Sequence, residues 1–413
     1  MVKYPKDWHI VSLGDYCIIT SSKRVFEKEW TKSGIPFLRT RDIASFHAGE
    51  EQKDKLFISE STYKEKSSVS GEPQQGDLLV TGVGTIGLPF LIDTDDRVYF
   101  KDGNILWIKR SESFYPKWLF LMFLSKDIKE QIAESSGFTT VGTFTIKNAK
   151  KLQLPMPEKT EQKAIAEILT VFDTHIANLT ELIEKKKAIR EGALEDLISG
   201  KTRLSGFNSE WISISFDEYF TLLSNNTYSR DKLAEHGQVG NIHYGDILIK
   251  YSEIVTDEDE IPFLRPEITY SDNWLLHTND VIIADTAEDE TVGKAIQICE
   301  VSVPLVGGLH TIVCRPKFET AHGFLGLYIN SKSYHDQLLP HITGIKVSSI
   351  SKKAIKTTVL TIPSEIEEQS AIVGIITAMD KEIRSLEGER DKMIKIREGA
   401  MDDLLTGKVR LTD

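Results

Sequence analysis

Only three cysteines stand in 413 residues, at Cys17, Cys299 and Cys314. They are too few and too scattered for a disulfide framework or a zinc cluster. Reduced, mostly buried thiols are the simpler reading. No run of about 18 apolar residues occurs, so no segment is expected to span a bilayer. The first residues, Met1 to Tyr16, lack the apolar core of a signal peptide, and a cytoplasmic protein is expected. Motifs of catalysis are equally scarce. The chain has no HExxH, no GxSxG, no paired-histidine metal motif and no Asn-Pro-Pro-Tyr or Asp-Pro-Pro-Tyr tetrapeptide. Positive charge is short as well, with 50 basic against 62 acidic residues and a net charge of −12. Taken alone, that sum argues against nucleic acid, because phosphate wants a positive face.

What is present is globular in character. Apolar residues make up 40% and charged residues 27%, ordinary for a folded protein and wrong for a disordered one. At about 100–200 residues per domain, the length implies two to four domains.

A repeat organises the chain. Residues 158–204 and 365–411 align at a constant offset of 207 without a gap, and 22 of 47 positions are identical. The preceding segments match more faintly. Trp8, Asp15 and Tyr16 answer Trp211, Glu218 and Tyr219, and Ile35-Pro36-Phe37-Leu38-Arg39 answers Ile261-Pro262-Phe263-Leu264-Arg265. Gly76-Asp77-Leu78-Leu79-Val80 answers Thr278-Asn279-Asp280-Val281-Ile282-Ile283, and Phe144-Thr145-Ile146-Lys147 resembles Ser349-Ile350-Ser351-Lys352. The plan is globular, helical, globular, helical, with boundaries at 1–157, 158–204, 205–364 and 365–413.

Charge divides unevenly among these segments. Segment 1–157 carries a net +2 and segment 158–204 a net −1. Segment 205–364 carries −9 and segment 365–413 carries −4. The acidity concentrates in Glu253–Glu260 and Asp285–Glu290.

In the first helical copy Ile165, Leu169, Phe172, Ile176, Leu179 and Ile183 alternate steps of four and three, a heptad seam. Ile372, Ile376, Met379, Ile383 and Leu386 repeat it. Each copy ends at a glycine, Gly200 or Gly407, suited to the left-handed cap of a helix. About 40 residues at 1.5 Å each make a rod of roughly 60 Å. One such helix cannot bury its stripe alone, so the two are expected to pair. An antiparallel pair would set the globular segments at opposite ends, about a pseudo-two-fold axis.

In the globular segments the short apolar runs Leu78–Thr81, Leu88–Ile92, Ile105–Lys109, Val281–Ala284, Ala295–Ile298 and Thr311–Cys314 read as strands. Tyr115–Ile132 and His322–Leu339 read as helices. The fold class is α+β: two duplicated α+β domains separated by two long helices in an antiparallel coiled coil.

Two nucleotide-like motifs fail on context. Gly82-Val83-Gly84-Thr85-Ile86-Gly87 fits GxGxxG, but a strand follows it where a dinucleotide site needs a helix. Ser199-Gly200-Lys201-Thr202 resembles the end of a phosphate-binding loop, but Glu195 stands where its first glycine belongs and the segment closes a helix. Asp77 and Asp280 precede strands in both segments and read as turn residues.

The residues now resemble a family, the specificity subunits of type I restriction–modification systems, along the full length. The specific motifs are Glu161-Gln162 and Glu368-Gln369 at the helix starts, after Pro155-Met156-Pro157 and Ile362-Pro363. Ile189-Arg190-Glu191-Gly192-Ala193-Leu194 and Ile396-Arg397-Glu398-Gly399-Ala400-Met401 follow, then Ser199-Gly200-Lys201-Thr202-Arg203-Leu204 and Thr406-Gly407-Lys408-Val409-Arg410-Leu411. Gly76-Asp77-Leu78-Leu79 and Gly84-Thr85-Ile86-Gly87 are similar to the family's recognition-domain core. The second segment departs there, with Thr286–Gly293 in place of the compact glycine turn.

The resemblance implies target-recognition domains at 1–157 and 205–364 and conserved helical regions at 158–204 and 365–413. It implies a subunit that reads a bipartite double-stranded DNA sequence, one half per recognition domain. Two modification subunits would methylate an adenine in each half-site with S-adenosylmethionine, and restriction subunits would add ATP- and Mg2+-dependent translocation and cleavage. No cofactor, metal or catalytic residue is expected in this chain, and no membrane partner. A type IIB-like specificity subunit and, in a different class, a non-DNA coiled-coil scaffold are the alternatives.

Base readout calls for Arg, Lys, Asn, Gln, Ser and Thr on exposed loops. The candidates in the first segment are Lys23, Arg24, Arg39, Arg41, Thr85, Thr139, Thr140, Thr143 and Lys147. Those in the second are Tyr228, Arg230, Lys294, Lys346, Ser348, Ser349 and Lys352. The stretches Gly137–Lys147 and Gly344–Lys352 are favoured, since they lie at matching places just before each helical copy.

Overall fold

The fold is described from a computed structural model, for residues 4–50, 54–135, 142–344 and 346–411. The chain divides into two compact units. One is Met1–Thr180 with Glu389–Asp413, the other Glu181–Gly388. Each therefore contains one globular segment and a piece of both long helices.

In the first unit, strands Ile19–Thr20, Ile105–Ile108, Leu78–Thr81 and Pro89–Leu91 form an antiparallel sheet in that order. A second sheet orders Trp30–Thr31, Phe57–Ile58, Ile35–Leu38 and Tyr99–Phe100, the last pair parallel. His9–Ser12 pairs antiparallel with Gln153–Met156. That pairing brings the two ends of the globular segment together where the long helix begins.

The expected strands are present, and their unbroken apolar character has a packing cause. Leu78 and Val80 face one core with Leu106, Ile108 and Trp118. Leu79 faces another with Ile105 and Trp107. A strand covered on both faces needs apolar residues at every position, not at alternate ones. Val281–Ala284 repeats the arrangement in the second unit, with Val281 and Ile283 in one cluster and Ile282 and Ala284 in another. Each Leu, Ile or Val among them contributes roughly 1.5–3 kcal/mol by burial.

The second unit elaborates the same plan. Its main sheet has five strands: Phe220–Leu223, Thr311–Pro316, Val281–Ala284, Ala295–Ile298 and Ile254–Val255. Leu233–Ala234, Phe263–Leu264, Gly240–Ile242 and Leu305–Gly307 make a four-stranded sheet. Ile212–Ser215 pairs with Val359–Ile362 to close the segment. Thr286–Ala287 pairs with Ser348–Ser349, a ribbon with no strand counterpart among the described residues of the first unit.

The helix expected over Tyr115–Ile132 is two helices, Pro116–Leu124 and Lys126–Ser135. Ser125 is extended (ψ 153°), and its hydroxyl donates to the Met122 carbonyl at 2.6 Å. A side chain that bonds the backbone this way offers an alternative to helix continuation. Ser331 does the same between Phe324–Asn330 and Lys332–His335.

The long helices run Lys159–Ile198 and Ile366–Leu405. Ile165, Leu169, Leu179 and Ile183 of the seam are buried, as are Ile372, Ile376 and Ile383. Within each unit the pieces run antiparallel. In the first, Glu161 meets Arg410 and Asp173 meets Arg397. In the second, Arg190 meets Asp380, Lys186 meets Glu382 and Arg203 meets Glu368. Gly200 (φ 71°) and Gly407 (φ 70°) adopt the left-handed cap conformation.

Candidate nucleic-acid interface

Two regions of each unit carry polar side chains in a defined geometry: the joint where the long helix begins, and the edge where the central hairpin loop meets the segment before that helix.

The joint explains the Glu-Gln pairs. The Glu161 carboxylate is buried and accepts from Arg410 Nε at 2.7 Å and Nη2 at 2.9 Å, and from Trp8 Nε1 and the Leu411 amide at 3.2 Å. Burial pushes its pKa up, but the Arg410, Leu411 and Trp8 hydrogen bonds outweigh burial and hold it below the usual carboxylate value. Gln162 accepts from the Tyr115 amide at 2.8 Å and donates to the carbonyls of Ser113 and Pro157. In the second unit Arg203 meets Glu368 at 3.0 and 2.6 Å, and Gln369 accepts from Thr320 and the Ala321 amide and donates to the Pro363 carbonyl. Thus the glutamate fastens the end of the opposite helix, and the glutamine fastens the globular segment. Arg410 and Arg203 each lie over an indole, Trp8 at 5.4 Å and Trp211 at 6.0 Å.

Asp77 and Asp280 are turn residues. Each accepts the backbone amide three residues back, from Gln74 at 2.9 Å and from His277 at 2.8 Å. Asp77 also accepts from Trp107 Nε1, and Asp280 from the Arg315 guanidinium. The cysteines are buried. Burial pushes the Cys17 thiol up to about 12 and Cys299 up to about 11, far from the reactive thiolate range. Among the described residues no group of three or more His, Cys, Asp or Glu is placed to hold a metal ion, and no helix is long and apolar enough to cross a membrane.

At the edge, the Phe144 amide donates to the Gly82 carbonyl at 2.8 Å, and the Ile350 amide to the Asp285 carbonyl at 2.9 Å. The hairpin loops 82–87 and 285–293 therefore lie beside the segments that precede the helical copies. The structural equivalence sets Phe144 against Ile350, one residue out of register with the sequence match, which had set it against Ser349. Thr85, Thr143 and Lys147 are exposed here in the first unit, and Lys346 and Lys352 in the second, with Ser348 and Ser349 half-buried in the ribbon. Thr139 and Thr140 lie outside the described residues.

The other candidates divide by what they bond. Lys23 is exposed, and its amide donates to the Tyr99 hydroxyl. Arg24 is two-thirds exposed and meets Asp102 at 3.1 Å, and Arg41 reaches Asp54 at 3.4 Å. Arg230 is exposed and bonds Asp246 at 2.8 Å, while the Tyr228 hydroxyl donates to the Thr269 carbonyl. Two cations are engaged within the fold. Arg39 makes a two-pronged bond to Asp42, both at 2.8 Å, and donates to the Asp54 carbonyl. Lys294 donates to the carbonyls of Tyr251 and Leu248 at 2.9 and 3.2 Å, and burial holds its pKa below the usual lysine value, opposed by Glu253.

Sequence reasoning missed a polar cluster in the second unit. Asn225 donates to the Gly308 and Thr311 carbonyls, and Asn226 to Asn241 and the Gly307 carbonyl. Ser21 and Ser22 hold the same place in the first unit, bonding the carbonyls of Ile105 and Phe100. That paired polar doublet, after matching strands, was the available signal. Asp285, Thr286, Tyr244 and His310 complete the cluster.

A tandem of equivalent α+β modules, each locked to paired helices and each presenting a polar edge, defines a duplicated recognition protein. The sequence pattern of the type I restriction modification DNA specificity domain matches residues 5–188 and again 208–395, and the chain belongs to that family. Its function is DNA sequence recognition. It is 22% identical over 436 residues to the putative type I restriction enzyme MjaX specificity subunit of Methanocaldococcus jannaschii, covering 98% of this chain and 95% of that one. Over 174 residues it is 31% identical to the putative type I restriction enzyme specificity subunit S.HindORF215P of Haemophilus influenzae, a match spanning 42% of each chain. It shares its fold, at a TM-score of 0.61 and 15% identity, with a chain from a structure of the assembly and conformational transition of a type I R-M system, covering 99% of this chain and 100% of that one.

Proposed function

We propose that this chain reads a bipartite double-stranded DNA target, one half-site per recognition segment, with unread bases between. It holds two modification subunits and the restriction subunits on that target, in the cytoplasm. The chain is non-catalytic by itself. S-adenosylmethionine belongs to the modification subunits, and ATP and Mg2+ to the restriction subunits. The observation that carries this reading is the duplication of the module down to its hydrogen bonds, with the same joint and the same loop-beside-segment edge in both copies. Two equivalent edges with different side chains are what two different half-sites require.

The net charge of −12 sets the affinity. Few phosphate contacts release few counterions, so the subunit alone binds weakly and without sequence preference, and its partners supply the rest. The test pairs gel-shift measurement of the chain, with and without modification subunits, with methylome sequencing of a host that expresses the complex. Methylation at a two-part motif is expected. A continuous motif, or tight sequence-specific binding by the chain alone, would overturn the reading.

A further inference from the structure

His310 closes the turn between strands Leu305–Gly307 and Thr311–Pro316, and its φ is 55°. That left-handed conformation is uncommon outside glycine, although asparagine, aspartate and histidine adopt it more readily than other side chains. In the corresponding turn of the first unit the left-handed residue comes one position earlier, at Gly103 (φ 68°), and Asn104 stands at the place of His310. The two turns correspond because the Gly82 amide donates to the Asn104 carbonyl at 2.7 Å, and the Asp285 amide to the His310 carbonyl at 3.1 Å. Strained residues that the surroundings hold in place cluster where the side chain is used.

The side chain is held. Its Nδ1 lies 3.2 Å from Asp285 Oδ1 and 3.3 Å from Thr286 Oγ1, and its ring packs edge-on against Tyr244 at 5.3 Å. An ionised Asp285 can only accept, so Nδ1 carries the hydrogen and Nε2 of the neutral ring is left as an acceptor. Nε2 has no hydrogen-bond partner among the described residues, and the side chain is 47% exposed. The Ser348–Ser349 strand pairs with Thr286–Ala287 alongside, with exposed Lys346 and Lys352 flanking that strand.

We propose that His310 is a specificity-determining residue of the second recognition segment, its oriented Nε2 accepting from the exocyclic amine of an adenine or cytosine in the major groove. This rests on the DNA reading above and names a residue that performs it. Adenine N6 and cytosine N4 are the amine donors that groove presents.

The test uses the complex with modification subunits and sequences the host methylome for wild type, His310→Gly and His310→Asn. Glycine removes both the strain and the acceptor. The melting temperature of His310→Gly should be unchanged or raised, while one position of one half-site loses about tenfold of its discrimination and the other half-site stays intact. Asparagine tolerates the backbone and restores an acceptor, so it should recover part of the preference. An unchanged motif in His310→Gly at full methylation would overturn the proposal while leaving the bipartite reading standing. A lower melting temperature in both variants, with methylation lost evenly at every base of both half-sites, would show a structural role and overturn it too. A wild-type methylome without a two-part motif would instead sink the function on which it rests.

Discussion

Glu161 and Glu368 occupy the same turn of their helices, and each holds the arginine near the end of the opposite helix. At the edge of the hairpin loops the copies diverge. A loop of residues 82–87 stands where the second unit has 285–293, Leu88 where it has Lys294, and Asn104 where it has left-handed His310. The physical reason lies in what each region touches. A side chain inside a bonded network cannot change without stranding its partners, so both copies keep it. A side chain facing outward is free to suit whatever it meets. The repeat thus separates the part of the module that holds the chain together from the part in which the copies differ, where we propose the reading is done.

The comparison breaks most visibly at the joint. Arg410 is part-exposed and keeps Asp7 at 2.8 Å when Glu161 is removed, so Glu161→Ala loses charged hydrogen bonds without stranding a buried charge and should destabilise the first unit by about 2 kcal/mol. Glu368→Ala should cost less, because Glu161 also accepts from Trp8 and the Leu411 amide. Calorimetry on both variants decides it, and an equal or larger loss for Glu368→Ala would contradict the ordering.

The arginines on the helices sharpen the point, since here the second unit makes the larger network. Arg190 bonds Asp380 at 2.9 Å and Glu253 at 2.9 Å, whereas Arg397 pairs with Asp173 at 2.9 Å. Arg190→Ala should exceed Arg397→Ala in lost stability by about 1 kcal/mol, the worth of one added charged hydrogen bond at a part-buried site. A double-mutant cycle with Glu253→Ala isolates that share. A coupling near zero would show that the Glu253 bond is idle.

Acid should act through Glu161 as well. Its folded pKa lies below the ordinary 4.5, so the unfolded state binds the proton more readily. The stabilisation is complete above the unfolded value and is lost as pH falls through the lower folded one. Denaturant melts between pH 3 and 6 should show a flatter acid limb for Glu161→Gln than for the native chain. Parallel limbs would mean the carboxylate contributes nothing to the pH dependence.

The smallest effect is expected at the exposed lysines of the proposed reading edge. Lys147→Ala, Lys346→Ala and Lys352→Ala should each weaken DNA binding evenly across sequences and lower the salt slope of the complex by about one unit. Affinity measured over a salt series is the readout. A change of motif in any of them would move that lysine from phosphate contact to base reading.

Much of this molecule was legible because its signals are local or repeated. The strand Leu78–Thr81 is four buried residues in a row between turns, and the heptad seams follow from spacing alone. The helix break at Ser125 was not legible, because serine tolerates a helix and only its bond to the Met122 carbonyl shows that it leaves one. Among the candidate readers, Arg39 and Lys294 looked like free cations. Asp42 lies three residues from Arg39 and was in view, but the carbonyls of Leu248 and Tyr251 that engage Lys294 are more than 40 residues away. His310 went unnoticed for the converse reason: neither its backbone angle nor its place beside Asp285 is written in the order of neighbouring residues.

The sequence by itself determined the tandem plan, the long paired helices, the principal strands and the family, since periodicity, duplication and glycine punctuation are properties of the chain as written. Tertiary structure alone decided what the duplicated motifs are for. Glu161 and Arg410 are 249 residues apart and become a lock only when antiparallel pairing closes that distance. Which polar side chains stay free to meet DNA depends on which ones the fold has already bonded, and burial and partnership across long sequence separations set that choice.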